Sequence, residues 1–68
     1  MSFLDYLYLL GVAVFEYKGI YGSVEWSQED GCFYGNILNI SGLITYEARN
    51  IYDLEKEFRL AVDDYLSE

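Results

Sequence analysis

Histidine and proline are absent from this 68-residue chain, and cysteine occurs once, as Cys32. Without histidine the chain can build no Ser–His or Cys–His catalytic pair, and a lone thiol forms neither an intrachain disulfide nor a zinc site. The glycines are single and spaced as in strands, so no glycine-rich phosphate-binding loop is present. The sequence therefore predicts a protein that is not an enzyme, with no catalytic residue, no cofactor and no bound metal.

Basic residues are scarce. Four lysines and arginines stand against twelve aspartates and glutamates, which gives a formal net charge of −8. Such a chain repels phosphate groups, so we expect no direct binding of nucleic acid. The charge is compatible with two interpretations, namely that it attracts a basic protein partner or that it keeps an apolar, tyrosine-rich domain soluble.

Long hydrophobic runs are also missing. The longest apolar stretch, residues 7–15 (LYLLGVAVF), has nine residues, whereas a membrane-spanning helix needs about 20. Asp5 stands where a signal peptide would carry a basic residue. We therefore expect a cytoplasmic protein that does not contact a membrane, and the single unpaired cysteine agrees with a reducing compartment.

The small size of the chain limits its core. Sixty-eight residues form a single domain, and a domain of this length buries only about 60% of the surface that its unfolded chain exposes. Because 53% of the residues are hydrophobic and eight are tyrosines, self-association would cover apolar surface that the core cannot. We predict a homo-oligomer, either a dimer or a larger assembly.

Alternating apolar and polar residues predict three strands, at Ile20–Ser27, 32–40 and 43–48. The first turn is acidic and ends at Gly31, and the second is a two-residue turn formed by Ser41 and Gly42. Both glycines are expected to adopt a positive φ.

Counting outward from these turns pairs Trp26 with Phe33, Gly22 with Ile37, and Ile37 with Tyr46. One sheet face is then apolar and contains Ile20, Val24, Trp26, Phe33, Ile37, Ile44 and Tyr46. The opposite face is mostly polar and contains Tyr21, Ser23, Glu25, Tyr34, Asn36, Thr45 and Glu47, with Leu38, Ile40 and Leu43 at one end. A slip of one residue would exchange the faces of the third strand.

A helix is predicted over Ile51–Leu66, with Asn50 as its N-cap. Its apolar stripe consists of Ile51, Leu54, Phe58, Ala61 or Val62, and Tyr65. The stripe and the apolar sheet face bury each other. The predicted fold class is therefore α+β, with a three- or four-stranded antiparallel sheet and one C-terminal helix packed on one face.

The first fifteen residues allow several interpretations. Phe3, Leu4, Leu7 and Leu10 fit a short helix, whereas extended structure from Tyr8 onward fits the later alternation better. That extended segment either runs on as a strand towards Ile20 or turns back as a hairpin at Lys18 and Gly19.

Tyrosines and acids on the polar face suggest a protein-binding surface, because tyrosine is a preferred anchor of interfaces. The predicted partner-binding residues are Tyr21, Glu25, Tyr34, Asn36, Glu47, Asp63 and Asp64. The alternative is that the tyrosines fill a small core and the acids are simply solvated. Glu25 and Glu47 are expected to be offset along the sheet with α-carbons about 12 Å apart, which is too far to share a metal ion.

Several motifs together resemble the HicB family of antitoxins. They are Tyr17-Lys18-Gly19, Gly22-Ser23-Val24-Glu25, and Glu29-Asp30-Gly31-Cys32-Phe33-Tyr34-Gly35, followed by Leu43-Ile44-Thr45-Tyr46-Glu47 in the third strand. The helix contributes Leu54-Glu55-Lys56-Glu57-Phe58-Arg59 and Ala61-Val62-Asp63-Asp64-Tyr65-Leu66. The similarity covers residues 17–66, and residues 1–15 are an atypical N-terminal extension of this single HicB-like domain.

The resemblance implies a partial ribonuclease-H-like fold without that nuclease's catalytic acids. It implies a partner, the small basic HicA toxin that cleaves mRNA, whose active site the antitoxin blocks. Dimers or higher assemblies are common in the family. Its members usually continue into a DNA-binding tail that has no counterpart here, so DNA binding is not carried over. The alternative is an orphan HicB-like domain that self-associates without a toxin.

Overall fold

A computed structural model describes residues 13–67 of the chain. The elements are β1 (Ala13–Tyr17), β2 (Ile20–Ser27), β3 (Cys32–Asn36), β4 (Thr45–Ala48) and the helix α1 (Ile51–Leu66). The strands form one antiparallel sheet in the order β1-β2-β3-β4. This arrangement confirms the α+β class with a four-stranded sheet and one C-terminal helix. None of the helices in this part of the chain is long and apolar enough to cross a membrane.

A tight hairpin joins β1 to β2. Tyr17 pairs with Ile20, and both residues between them have positive φ, 55° at Lys18 and 78° at Gly19. This combination is typical of a type I′ turn, whose twist matches that of the flanking strands. Of the two alternatives for this segment, the hairpin is therefore correct. The predicted short helix and the extended segment between Tyr8 and Val12 lie outside the described residues.

The β2–β3 hairpin has the predicted register. Trp26 pairs with Phe33, and Gly22 forms a bridge with Ile37 further along. The predicted acidic turn ends at Gly31, whose φ is 65°. The acidic turn therefore sets the register of the first predicted strand pair, as the sequence indicates.

The two-residue turn predicted between the third and fourth strands is wrong. β3 ends at Asn36 and residues 37–44 connect it to β4, so that Tyr46 pairs with Gly35 and not with Ile37. The register has moved by two residues. Because side chains alternate with a period of two, each residue of β4 keeps its predicted face.

Two backbone hydrogen bonds continue the sheet just beyond the end of β3, and the chain turns away after them. The Leu38 amide donates to the Tyr21 carbonyl at 2.8 Å, and the Ile37 amide donates to the Ile44 carbonyl at 2.9 Å. Between these contacts Asn39 adopts a left-handed conformation with φ 62°, which asparagine tolerates better than most residues. The connection is therefore a wide loop closed by the Ile37–Ile44 hydrogen bond.

The helix begins where the sequence predicts. The Asn50 side chain accepts a hydrogen bond from the Asp53 amide at 2.9 Å, which satisfies one of the unpaired donors of the first turn. Leu54, Phe58 and Val62 are fully buried. Their spacing of four residues places them on one face of the helix, which packs against the sheet.

The centre of the core is aromatic. The helix contacts β4, β3 and β1, and the Phe58 ring lies 5.5 Å from the ring of Phe15 and 5.6 Å from that of Tyr46. Gly22 lies beneath these rings. A Cβ at that position would collide with the Tyr46 hydroxyl and fall 2.6 Å from Phe58 ring atoms, so the absence of a side chain there makes room for both aromatic residues.

Trp26 does not belong to this core, contrary to the prediction. Its side chain is 52% exposed and packs edge-on against Phe33, with ring centroids 4.8 Å apart. Phe33 packs against the buried cluster, as does Val24 earlier on β2. Trp26 lies on the predicted face but next to the end of β2, beyond Gly22, which lies beneath Phe58, and Val24, which packs against the core.

Candidate protein interface

The outer sheet face, defined as the face opposite the helix, carries five of the seven predicted binding residues. These are Tyr21, Glu25, Tyr34, Asn36 and Glu47, as the strand alternation and pairing require. Glu25 pairs with Tyr34 across β2 and β3, and Tyr34 pairs with Glu47 across β3 and β4. The three side chains therefore form one row across the sheet.

The prediction that Glu25 and Glu47 are offset along the sheet is wrong. The two-residue shift of β4 brings Glu47 opposite Tyr34, level with Glu25. Two strand spacings separate their α-carbons by roughly 10 Å. Within residues 13–67, no group of three or more histidine, cysteine, aspartate or glutamate side chains is placed to hold a metal ion.

Tyr34 is the central side chain of this row. It is 41% exposed, and both of its cross-strand neighbours, Glu25 and Glu47, are exposed carboxylates. An aromatic ring with a hydroxyl at its tip and acids on either side can bury apolar area while the acids contact cations. This chemistry suits a basic protein surface.

An open groove of about 630 Å³ runs along the outer face of β3 and β4. Its side-chain lining comprises Ser27, Asp30, Cys32, Tyr34, Asn36, Leu43, Thr45 and Glu47. A second open depression of about 390 Å³ shares Asp30, Cys32 and Glu47 with this groove and is also lined by Ala48 and Arg49. Asp30 and Leu43 were not among the predicted binding residues. The position of Asp30 in the acidic turn, just before Gly31, is the signal that could have placed it near the outer face.

Ser23 holds two residues of the outer face in position. It is 5% exposed, and its Oγ accepts a hydrogen bond from the Asn36 amide at 3.0 Å. The same hydroxyl lies 3.2 Å from Asn36 Oδ1 and 3.3 Å from Glu25 Oε2 and can donate its single hydrogen to one of them at a time. A buried serine thus contacts the side chains of both Asn36 and Glu25.

This arrangement replaces one backbone contact of the β2–β3 ladder. In a regular antiparallel pair the Asn36 amide would donate to the Ser23 carbonyl. Here the hydroxyl takes that donor, and the Ser23 carbonyl instead accepts the Tyr46 hydroxyl at 2.7 Å. Burial raises the pKa of the Tyr46 phenol above its ordinary value, with a smaller contribution from the charge of Glu25. The phenol therefore stays protonated and remains a donor at neutral pH.

The other two predicted binding residues, Asp63 and Asp64, are exposed near the end of α1 and do not join the outer face. Asp63 accepts a hydrogen bond from Lys18 Nζ at 2.8 Å, and the Tyr17 hydroxyl lies 3.5 Å away. Lys18 lowers the pKa of the Asp63 carboxyl, and Asp63 raises that of Lys18. Asp63 thus connects the helix to the β1–β2 turn.

No protein-family model, curated protein or solved structure matches this chain. Assignment of function therefore depends on the geometry and charge of the outer sheet face, together with the motif resemblance.

Proposed function

We propose that this chain is a HicB-like antitoxin module that binds a small basic mRNA-cleaving toxin of the HicA type and covers its active site. The outer sheet face is the binding surface. The motif resemblance supplies the identity of the partner, and the charge and exposure of this face support the proposal independently.

The observation that carries the proposal is the sign of the charge on this face. The strand positions that share it include three acidic residues, Glu16, Glu25 and Glu47, and within the four described strands they include no lysine or arginine. Of the four basic residues, Lys18 and Arg59 are already paired with Asp63 and Glu55. Of the other two, Lys56 lies on the helix, and Arg49 lies just beyond β4, where it shares a depression with Asp30 and Glu47. The outer face therefore presents net negative charge that Arg49 offsets only in part.

This charge explains how occlusion would work. An enzyme that cleaves RNA must hold phosphates with basic side chains. Carboxylates at Glu25 and Glu47 can occupy the same cations, so that the protein and the RNA compete for one surface. Long-range attraction raises the rate of encounter, and Tyr34 supplies a contact of the kind that dominates interface energetics.

An RNA cleavage assay with a purified HicA-type toxin tests the proposal. We expect cleavage to fall as the protein is added and to stop at saturation. The double variant Glu25→Gln and Glu47→Gln should weaken inhibition by about tenfold or more, because it removes two charges from the interface. Glu57→Gln is the control, since it removes an exposed charge on the helix and should leave inhibition unchanged.

Two results would contradict the proposal. One is full cleavage in the presence of saturating protein. The other is an equal loss of inhibition in the helix variant and in the sheet variant, which would mean that net charge alone accounts for the effect. Co-purification of the two proteins at low and high salt complements the assay, because screening should weaken an interface of this kind.

A further inference from the structure

One edge of the sheet is unpaired within the described residues. β4 has β3 as its neighbour on one side, and the 2.9 Å hydrogen bond from the Ile37 amide to the Ile44 carbonyl fixes which backbone groups face inward. Backbone groups alternate in direction along an antiparallel strand. The backbone amides and carbonyls of Tyr46 and Ala48 therefore point towards β3, whereas those of Thr45 and Glu47 point outward from the sheet.

The outward-pointing groups are accessible. Thr45 and Glu47 are both exposed, and their outward amides and carbonyls take part in no hydrogen bond within residues 13–67. The helix packs on the opposite face of the sheet, where it contacts β4, and leaves Thr45 and Glu47 exposed. An unpaired edge of this kind is a template for another extended segment.

The side chains along this edge define what could pair with it. Glu47 contributes a carboxylate and Thr45 a hydroxyl on the outer face, next to the groove that Tyr34 lines. Leu43, which precedes the strand, is 77% exposed. A strand laid beside β4 would place its own outer side chains directly across from Thr45 and Glu47, where opposite charges stabilise the pair and like charges destabilise it.

We propose that the outer edge of β4 captures an extended, lysine- or arginine-bearing segment of a partner protein as a fifth strand of the sheet. This inference rests on the proposed function in that it specifies how the basic partner docks. Backbone hydrogen bonds to Thr45 and Glu47 provide the contact, and the charge of Glu47 selects the segment. A second copy of this chain is the poorer occupant, because each copy carries a charge of −8 and a glutamate on the edge itself.

A synthetic peptide tests strand addition without any toxin. The probe is acetyl-Thr-Lys-Val-Lys-Val-Lys-Thr-amide, whose lysines all lie on one face when the peptide is extended. We expect the amide hydrogens of Thr45 and Glu47 to exchange at least tenfold more slowly when the peptide is bound. The same peptide with alternate backbone nitrogens methylated keeps its charge but lacks the donors, and it should give no protection.

Two variants of the protein provide the matched comparison. Thr45→Pro removes an outward amide without removing an inward one, and proline is tolerated on edge strands when its nitrogen faces solvent. Thr45→Val keeps the amide. The proline variant should bind the peptide at least tenfold more weakly, and the valine variant should bind within about twofold of the natural chain. The methylated peptide keeps the test decisive even if the proline variant unfolds.

Several outcomes would overturn the inference. Equal binding of the plain and methylated peptides would mean that charge alone attracts the segment. If, without peptide, the Thr45 amide exchanges more slowly as the protein concentration rises, the edge pairs with a second copy of this chain. If the Thr45→Pro variant still inhibits the toxin while the double variant Glu25→Gln with Glu47→Gln does not, strand addition is rejected and the proposed function stays intact. If the peptide pairs with β4 but the protein inhibits no HicA-type toxin, the proposed function is rejected and strand addition stands.

Discussion

At the scale of single residues, Ser23, Gly35 and Tyr46 form one unit. The Ser23 carbonyl leaves the sheet ladder to accept the Tyr46 hydroxyl, and it then lies so close to Gly35 that a Cβ there would collide with it. Glycine is therefore required opposite the tyrosine. The unit joins the buried side of the sheet to Asn36 and Glu25 on the outer face through the Ser23 hydroxyl.

Replacing the tyrosine hydroxyl tests this unit. Tyr46→Phe keeps the ring but leaves the buried Ser23 carbonyl without its donor, and we expect a loss of about 1–3 kcal/mol in the free energy of unfolding. Urea denaturation at neutral pH measures it. Tyr52→Phe is the control, because that side chain is 85% exposed. Equal stability of the two variants would show that the Tyr46 hydrogen bond contributes nothing.

Tyr46 also predicts a loss of stability in alkali. Its folded pKa is raised by burial, whereas an unfolded tyrosine ionises near pH 10. A group of this kind stabilises the fold fully below its unfolded pKa, and the stabilisation is lost as the pH rises towards the folded pKa. The decline in stability above about pH 10 should be smaller in Tyr46→Phe than in the natural chain.

Gly22 gives a second residue-scale prediction. In Gly22→Ala the new methyl group meets the Tyr46 hydroxyl and, at 2.6 Å, the Phe58 ring, and overpacking of this kind costs about 1–3 kcal/mol. Thermal unfolding of the single variants and of Gly22→Ala with Phe58→Leu measures the coupling. The alanine should cost less beside the leucine, since its clash with the aromatic ring is gone and only the clash with the tyrosine remains. Strictly additive effects would assign the destabilisation to the Tyr46 hydroxyl alone.

At the scale of elements, local patterns specify β2 and α1 well. Alternation and the acidic turn define Ile20–Ser27, and Asn50 with the apolar stripe defines Ile51–Leu66. Both signals lie within the element itself, so no distant contact is needed to recognise them. The hairpin at Lys18 and Gly19 remained one of two alternatives, because lysine is an uncommon residue at positive φ.

The connection between β3 and β4 was not predictable in the same way. Ile40 and Leu43 continue an apolar pattern, which favours two strands joined by a tight turn at Ser41 and Gly42. The structure instead keeps the predicted β2–β3 register as far as Leu38, whose amide donates to Tyr21, and turns away at Asn39, where φ is 62°. Asparagine tolerates this conformation but does not require it, so the alternation pattern does not reveal the turn. The offset predicted for Glu47 was wrong for the same reason.

The ion pair between Lys18 and Asp63, which connects the β1–β2 turn to the helix, predicts an acid-sensitive element. The folded pKa of Asp63 is lowered by Lys18, so the pair stabilises the fold above the unfolded pKa of the carboxyl and is lost as the pH falls through the folded pKa. Both side chains are about half exposed, and exposed pairs contribute little. The protection factors of the hairpin amides, which correct for the intrinsic fall in exchange rate with pH, should therefore decrease by less than about tenfold on acidification.

Two variants test whether the Lys18–Asp63 pair is the origin of this acid dependence. Asp63→Asn should make the hairpin exchange faster at neutral pH and remove this part of its acid dependence. Glu55→Gln breaks the other ion pair, which lies within the helix at 2.9 Å from Arg59, and should leave the hairpin unaffected. An identical response of the hairpin to both variants would contradict a specific connection through Asp63.

At the scale of the whole molecule, the sheet has one covered side and one exposed side. The binary pattern of the strands predicts this division, because shifts of two residues do not exchange faces. It therefore placed Tyr21, Glu25, Tyr34, Asn36 and Glu47 together despite the error in register. Asp63 and Asp64 share their acidity with this group but lie on the helix, and composition alone could not separate them from it.

The central claim is that the outer face, and not the helix, receives a basic protein partner. Backbone chemical-shift mapping of the labelled chain during titration with a HicA-type toxin tests it most directly. We expect shift changes concentrated at Tyr21, Glu25, Tyr34, Asn36 and Glu47, extending to Thr45 at the edge of the sheet. Changes concentrated on the exposed helix positions Tyr52, Lys56 and Leu60, or no changes at saturating toxin, would contradict it.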